Sequence, residues 1–260
     1  IGEAFAGARR SGRRAALMPY AMGGYPTRAD SLAIGEAMIA CGADLIELGL
    51  PYSDPLADGP VIHQAASAAL AGGATLASVL ELAHGLSEAV PVVLMGYANM
   101  VFAPGIQSFV ERLARAGLSG LIVPDLPLEE AGQLRAVCDA HGIALVPLVA
   151  PTTSPGRLAA IGEHARGFLY AVSVVGTTGE RDGLRGRFAD VVARAKASTE
   201  VPVAVGFGVS TAQDAAAAAG AGADGVIIGT RLVRAAGEPG DPADSVAAAL
   251  AGIAAGLRAG

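Results

Sequence analysis

Short runs rich in Val, Ile and Leu recur along the chain, separated by longer Ala-rich segments with helical periodicity, and the alternation persists to the end. Eight runs read as strands: Ala15–Ala21, Asp44–Gly49, Pro91–Tyr97, Gly120–Pro124, Ala144–Val149, Phe168–Ser173, Val201–Gly206 and Gly225–Ile228. The segments between them read as helices over Arg28–Cys41, Leu76–Ala89, Ile106–Ala116, Leu128–His141, Pro155–Glu163, Phe188–Ser198 and Thr211–Ala221, and Ala243–Leu257 closes the chain. The strand runs are nearly continuous in apolar residues, as they are when helices cover both faces of a parallel sheet. The pattern predicts an α/β fold, a single (β/α)8 TIM barrel formed by residues 1–260 as one domain. An open doubly wound sheet is the rival, but "MGGYPTRAD" follows the first strand where that fold carries a G-x-G-x-x-G turn. Repeated phrases such as "CGADLIELG", "AGLSGLIVPD" and "AGADGVIIG" mark recurring helix, glycine turn and strand units, not separate domains.

Composition narrows the class. Hydrophobic residues make up 52% of the chain and aromatics 4%, with no Trp, so the core is expected to rest on Ala, Val, Leu and Ile in place of aromatic anchors. A formal charge of −6 argues against a broad nucleic-acid or anionic-membrane footprint. The cluster Arg9, Arg10, Arg13, Arg14 reads as a solvated helix face ahead of the first strand. No apolar run reaches the roughly 18 residues of a membrane span, and no signal-peptide stretch is present, so a cytoplasmic protein is expected. Cys41 and Cys138 are too few for a disulfide framework and read as small buried residues.

In a barrel of this kind chemistry sits at the C-terminal ends of the strands. The second strand runs into "ELGLPYSDPLADGP", where Glu47 is costly to bury unless it is paired or functional. Desolvation there would raise its pKa toward the range of a general acid or base. Asp54 and Asp58 follow in a loop stiffened by prolines and a glycine, and spacing alone leaves open which of them faces a substrate. Later strand ends carry "VVGTTGERDG", "GFGVST" and "GTRL", glycine turns that suit an anion held by backbone N–H groups. Ser210 or Thr211 is also an ordinary helix N-cap. A phosphorylated small molecule is the ligand this pattern supports.

The single lysine, Lys196, falls in a helix far from those loops, which leaves a Schiff-base mechanism without a suitable amine. His63, His84, His141 and His164 form no close pair, which gives little support to a metal; His63 reads as a helix-start residue. Carboxylate acid/base chemistry on a phosphate ester is what remains.

The stretch "ELGLPYSDPLADGPVIHQA" resembles the tryptophan synthase alpha chain family, and the resemblance continues nearly end to end through "PYAMGGYPT", "VLMGYANMVF", "LIVPDLPLEE", "YAVSVVGTTG" and "GFGVS" in family order. The resemblance implies a carbon–carbon lyase that splits indole-3-glycerol phosphate into indole and glyceraldehyde 3-phosphate without Schiff base or metal. It implies Glu47 and Asp58 as catalytic acids, with Asp54 a loop residue. It places Tyr20, Ile62, Met95, Tyr170 and Phe207 around the indole and glycerol parts of the substrate, and Thr178 on Asp58. Gly179, Gly208, Gly229 and Thr230 would hold the phosphate, and Gly176–Gly186 would form a closing lid. No cofactor is expected in this chain; the implied partner is a pyridoxal-phosphate-containing beta chain in an alpha2-beta2 heterotetramer. Phe168 stands where some relatives carry Tyr, and Thr230 where Ser is common, with the hydroxyl kept. Another phosphate-binding isomerase or decarboxylase, or a non-catalytic regulatory barrel, are the competing readings.

Overall fold

The computed structural model describes residues 1–172, 184–206 and 208–258. Among these, nine parallel strands run β1 (Ala16–Met22), β2 (Ile46–Gly49), β3 (Val92–Met95), β4 (Gly120–Ile122), β5 (Ala144–Val146), β6 (Leu148–Val149), β7 (Leu169–Val172), β8 (Val203–Gly206) and β9 (Gly225–Ile228). Their spatial order is β5-β4-β3-β2-β1-β9-β8-β7-β6, so the two edges are consecutive pieces of one stretch of chain. The fifth expected strand is split at Pro147, which has no N–H for the ladder, while its carbonyl still accepts from Tyr170 N–H at 3.0 Å. With β5 and β6 counted as one interrupted strand, the expected eight-stranded TIM barrel is what the chain forms.

Twelve α-helices are defined among the described residues: α1 (Gly2–Arg10), α2 (Arg28–Ala40), α3 (Pro60–Ala71), α4 (Leu76–Ser87), α5 (Ala98–Phe102), α6 (Ile106–Arg115), α7 (Gly132–Ala140), α8 (Pro155–His164), α9 (Leu184–Lys196), α10 (Ala212–Gly220), α11 (Thr230–Ala236) and α12 (Pro242–Ala254). The expected helices did not include α5 or the full α3, which interrupt loops at the C-terminal ends of β2 and β3, although His63, read as a helix-start residue, lies in the first turn of α3; the pattern also started α7 four residues early. Leu128–Ala131 is a turn, with Ala131 N–H donating to the Leu128 carbonyl.

β1, β2, β4, β8 and β9 are buried on both faces, while Ala144 and Leu145 of β5 and Leu148 of β6 are only partly buried. Ala16, Met18, Leu45, Val93, Ile122, Val146, Tyr170, Ala204 and Ile227 fill the barrel interior, while Leu17, Ile46, Leu48, Leu94, Leu121, Leu169, Val203, Val205 and Val226 pack outward in the helix layer. That two-sided burial is why the strand runs are continuously apolar. Phe5 and Ala8 of α1 join the interior cluster, so this helix plugs the N-terminal mouth. Aromatics prove to be anchors after all: Phe5, Phe109, Phe168 and Phe188 are among the largest fully buried side chains. The Phe5 and Phe168 rings lie 5.9 Å apart, and Phe168 and Tyr170 6.3 Å apart.

The repeated "GAD" phrases serve one structural purpose at the N-terminal end. Asp44, just ahead of β2, accepts from Leu17 N–H of β1, and Asp224, just ahead of β9, accepts from Val203 N–H of β8. Each acid is met by a cation: Arg13 on Asp44, and Arg9 and Lys196 on Asp224. The basic cluster is therefore not one solvated helix face. Arg9 and Arg10 end α1, whereas Arg13 and Arg14 lie beyond it, and Arg13 is a partly buried partner of Asp44. Cys138 is buried, but Cys41 is only partly so; its Sγ lies 3.6 Å from the Ala247 carbonyl. Among the described residues no single helix is long and apolar enough to cross a membrane.

Candidate active site

Glu47 occupies the penultimate interior position of β2, paired in register with Tyr20 of β1 and Val93 of β3. Its side chain points into the barrel and is 2% exposed. Oε2 is buried and has no hydrogen-bond partner among the described residues. Burial first, and the nearby Asp58 charge second, push its pKa up to about 8, so the carboxyl is protonated at neutral pH.

Room for the flanking rings comes from two glycines. A Cβ on Gly49 would lie 2.0 Å from the Tyr20 hydroxyl, and one on Gly206 would lie 2.1 Å from the Tyr170 hydroxyl. The glycines in "ELG" and "VGFG" thus let two tyrosines stand across the floor of the barrel mouth. Both phenols are fully buried with pKa values raised well above the ordinary phenol, by burial first and then by the nearby carboxylates.

Asp58 approaches from the loop between β2 and α3. Pro60 at the first turn of α3 fixes where that loop re-enters helix. Burial raises the Asp58 pKa, opposed by a hydrogen bond from the Tyr97 hydroxyl and by His63 of α3. Asp54, by contrast, accepts locally from the Ser53 hydroxyl and is exposed.

Tyr20, Glu47, Asp58, Ile62, Met95, Tyr170, Gly208, Gly229 and Thr230 all line one cavity of about 520 Å³ at the C-terminal mouth. Thr178, Gly179, Phe207 and most of the Gly176–Gly186 segment lie outside the described residues. The loop after β8 is anchored by Asp214, whose carboxylate accepts from the N–H and hydroxyl of both Ser210 and Thr211. Thr211 caps α10, as its place in the sequence suggested.

Three residues escaped the sequence reading. Tyr97 sits two positions past β3, and its hydroxyl accepts from the N–H of Ala57, next to Asp58, at 3.2 Å; its place at the end of the third expected strand was the available signal. Arg231 and Arg234 line the cavity beside Thr230. In a chain with few cations, two arginines directly after the last strand could have drawn notice.

Among the described residues no group of three or more His, Cys, Asp or Glu is placed to hold a metal ion. Lys196 lies at the opposite end of the barrel with its Nζ 3.0 Å from Asp224. The site is an apolar, substrate-sized chamber with two carboxyl groups on one wall and glycine turns with arginines on another.

A parallel (β/α)8 barrel with a substrate-sized cavity and its polar groups gathered at the strand C-termini places this chain among the TIM-barrel proteins, whose active sites lie at that face. Residues 5–258 match the family model described as the tryptophan synthase alpha chain. The chain is 47% identical over 228 residues to a tryptophan synthase alpha chain of Synechococcus sp. (strain CC9902), covering 87% of this chain and 84% of that one. It is 45% identical over 225 residues to the one from Methanosarcina mazei, covering 86% and 82%. Among solved structures, tryptophan synthase from M. tuberculosis in its aminoacrylate- and BRD0059-bound form superposes with a TM-score of 0.90 at 40% identity, over 100% of this chain and 98% of that one. The tryptophan synthase subunit alpha of Legionella pneumophila str. Paris gives 0.89 at 32% identity, over 98% and 97%. The chain belongs to the tryptophan synthase alpha chain family.

Proposed function

We propose that this chain cleaves indole-3-glycerol phosphate to indole and glyceraldehyde 3-phosphate by carboxylate acid/base catalysis. The observation that carries this reading is Glu47, a buried strand-end acid with a free oxygen and a pKa near 8, lining one mostly apolar chamber with a second acid, Asp58.

The indole ring is a poor carbanion leaving group until C3 gains a proton. Glu47, protonated at neutral pH, gives that proton, and Asp58 carboxylate stabilises the positive charge that develops on the N1–H group already present in the ring. The ring is then an internal electron sink. Glu47, now a carboxylate, takes the proton from the glycerol hydroxyl on the carbon next to the ring. The bond from C3 to that carbon breaks, its electrons return to the ring, and the hydroxyl carbon becomes the aldehyde. Glu47 ends protonated and ready for the next cycle, and no lysine or metal takes part.

Tyr20, Ile62, Met95 and Tyr170 supply the apolar walls for the ring, with Phe207 assigned to them by resemblance. Gly208, Gly229 and Thr230 are the proposed phosphate holders, with Gly179 again by resemblance. Arg231 and Arg234 add positive charge at that end of the cavity. Thr178 as a partner of Asp58 and the Gly176–Gly186 lid remain part of the proposal.

The proposed partner is a pyridoxal-phosphate-containing beta chain in an alpha2-beta2 assembly. Leu56, 83% exposed, and Phe102, 44% exposed, stand on the loops around the catalytic mouth and offer apolar surface for it. The cofactor is assigned to the partner because the chain's single lysine is engaged by Asp224.

The test is indole release from indole-3-glycerol phosphate by wild type, Glu47→Gln and Asp58→Asn, with and without a beta chain. Loss of turnover in both variants, with wild-type circular dichroism, supports the assignment. Conversion of an aminodeoxyribulose phosphate in place of indole release would overturn it.

A further inference from the structure

We infer that the cleft between α7 and α8 is a second small-molecule site, one that takes a zwitterion with an apolar body, of the class of an aromatic or large aliphatic α-amino acid. The inference is independent of the reaction assigned to Glu47 and Asp58.

Two departures from the regular strand and helix repeat border this cleft. The fifth barrel strand breaks at Pro147, and Leu128–Ala131 is a turn where the periodicity predicts the start of a helix. α6 packs on α7 and α8 packs on α9, whereas α7 and α8 are not packed together in that way. The space between them is a cavity of about 480 Å³, close in size to the catalytic chamber and within the range of small-molecule sites. Only Pro124 and Leu148 line both cavities, so the cleft lies across one wall from the chamber and is not part of it.

The floor of the cleft is apolar. On the flanking strands β4 and β7 the outward residues Leu121 and Leu169 are fully buried under the helix layer. Leu145 of β5 belongs to the same layer but is only partly buried, and it lines the cleft with Leu126, Leu128 and Ile161. Apolar surface left open in this way favours an apolar guest.

Three charged side chains stand on the lining: Asp125, Arg135 and Arg157. Arg157 of α8 is already occupied, its Nη1 and Nη2 donating to Glu129 Oε1 and Oε2 at 2.6 and 3.0 Å. Arg135 of α7 makes no ion pair among the described residues. Asp125 accepts from Ala98 N–H at 2.9 Å through Oδ1, and Oδ2 has no donor among the described residues. Arg135 and Asp125 therefore share one cavity without pairing with each other. A plain carboxylate would satisfy Arg135 and be repelled by Asp125, and a plain amine would meet the reverse. A zwitterion answers both, its carboxylate held by the guanidinium fork and its ammonium donating to Asp125 Oδ2. The other polar side chains on the lining are Thr153, whose Oγ1 accepts from Ala150 N–H at 2.9 Å, and His164, which is exposed.

The test is an NMR titration of the full-length chain with L-phenylalanine, 3-phenylpropionate and phenethylamine, which differ in the charges they carry. L-phenylalanine should bind with a Kd of about 1 mM or tighter, and each singly charged analogue about tenfold more weakly. Arg135→Met, which keeps the apolar stem, should weaken L-phenylalanine about tenfold and leave phenethylamine unchanged. Asp125→Asn, which keeps an acceptor for Ala98 N–H, should weaken L-phenylalanine to a similar degree and leave 3-phenylpropionate no weaker. The analogue series uses the wild-type chain, so it decides the matter even where a variant fails to fold. The inference is overturned by the lack of a saturable shift up to about 20 mM L-phenylalanine. Affinity unchanged in both folded variants overturns it as well, because the ligand then sits elsewhere. Equal binding of 3-phenylpropionate and L-phenylalanine does the same, because the cleft is then a plain anion site.

Discussion

Replacing Glu47 by Gln tests the electrostatic basis of the site without a substrate. The ordinary value of 4.5 describes Glu47 in the unfolded chain, and about 8 describes it folded. Between those values the folded chain holds a proton that the unfolded chain has given up. A raised folded pKa contributes stability that is fully present below the unfolded value and is lost as pH rises through the folded one. With about 1.4 kcal/mol per unit, the full span is worth about 5 kcal/mol, of which about 3.5 kcal/mol is lost between about pH 5 and about pH 8. Glu47→Gln has nearly the same shape and cannot ionise. Whatever fixed cost its buried amide carries is independent of pH, so the difference between the two chains isolates the titration. Urea unfolding followed by circular dichroism should show the variant gaining on wild type by about 3.5 kcal/mol over that interval. Parallel stability curves would refute the reasoning, because they would mean that Glu47 titrates alike in both states.

Other expectations follow from single contacts. The cleavage rate should fall on an alkaline limb near pH 8 as Glu47 loses its proton, seen in kcat/KM against pH. Gly49→Ala sets a methyl against the Tyr20 hydroxyl beside Glu47, so indole release should drop by about tenfold or more with the fold kept by circular dichroism. Arg13→Met leaves the partly buried Asp44 with Leu17 N–H in place of a cation, and unfolding free energy should fall by about 3 kcal/mol in urea titrations. Thr211→Ala removes the cap of α10 at a cost of about 1 kcal/mol by the same measurement.

The barrel was readable because its physics is local and repetitive: strands buried on both faces must be apolar throughout, and glycine turns must separate them from helices. Glu47 was readable for the same reason, since a lone acid at the end of "LIELG" contradicts its surroundings. The split at Pro147 was visible as a residue without an N–H, but whether a proline ends a strand or merely interrupts it depends on the neighbouring strand. Other features depend on contacts distant in sequence. Arg13 reads as one more basic residue near α1 until Asp44 arrives from 31 positions away. Tyr97 reads as one more apolar strand residue until the acidic loop folds across it. The choice between Asp54 and Asp58 is of the same kind: spacing could not make it, and only the loop's path leaves Asp54 in solvent and sets Asp58 on the chamber wall. Gly206 of "GFG" read as part of an anion-holding turn, and Gly49 of "ELG" as the end of a strand. Gly49 and Gly206 instead clear space for Tyr20 and Tyr170, a demand set by side chains on adjacent strands.

The central claim is that Glu47 and Asp58 together carry out the cleavage, and the most direct measurement is product formation from indole-3-glycerol phosphate by wild type and the two single variants. The account predicts equal amounts of indole and glyceraldehyde 3-phosphate from wild type, with turnover in Glu47→Gln and Asp58→Asn each lower by at least about a hundredfold. Near wild-type turnover in both would contradict it.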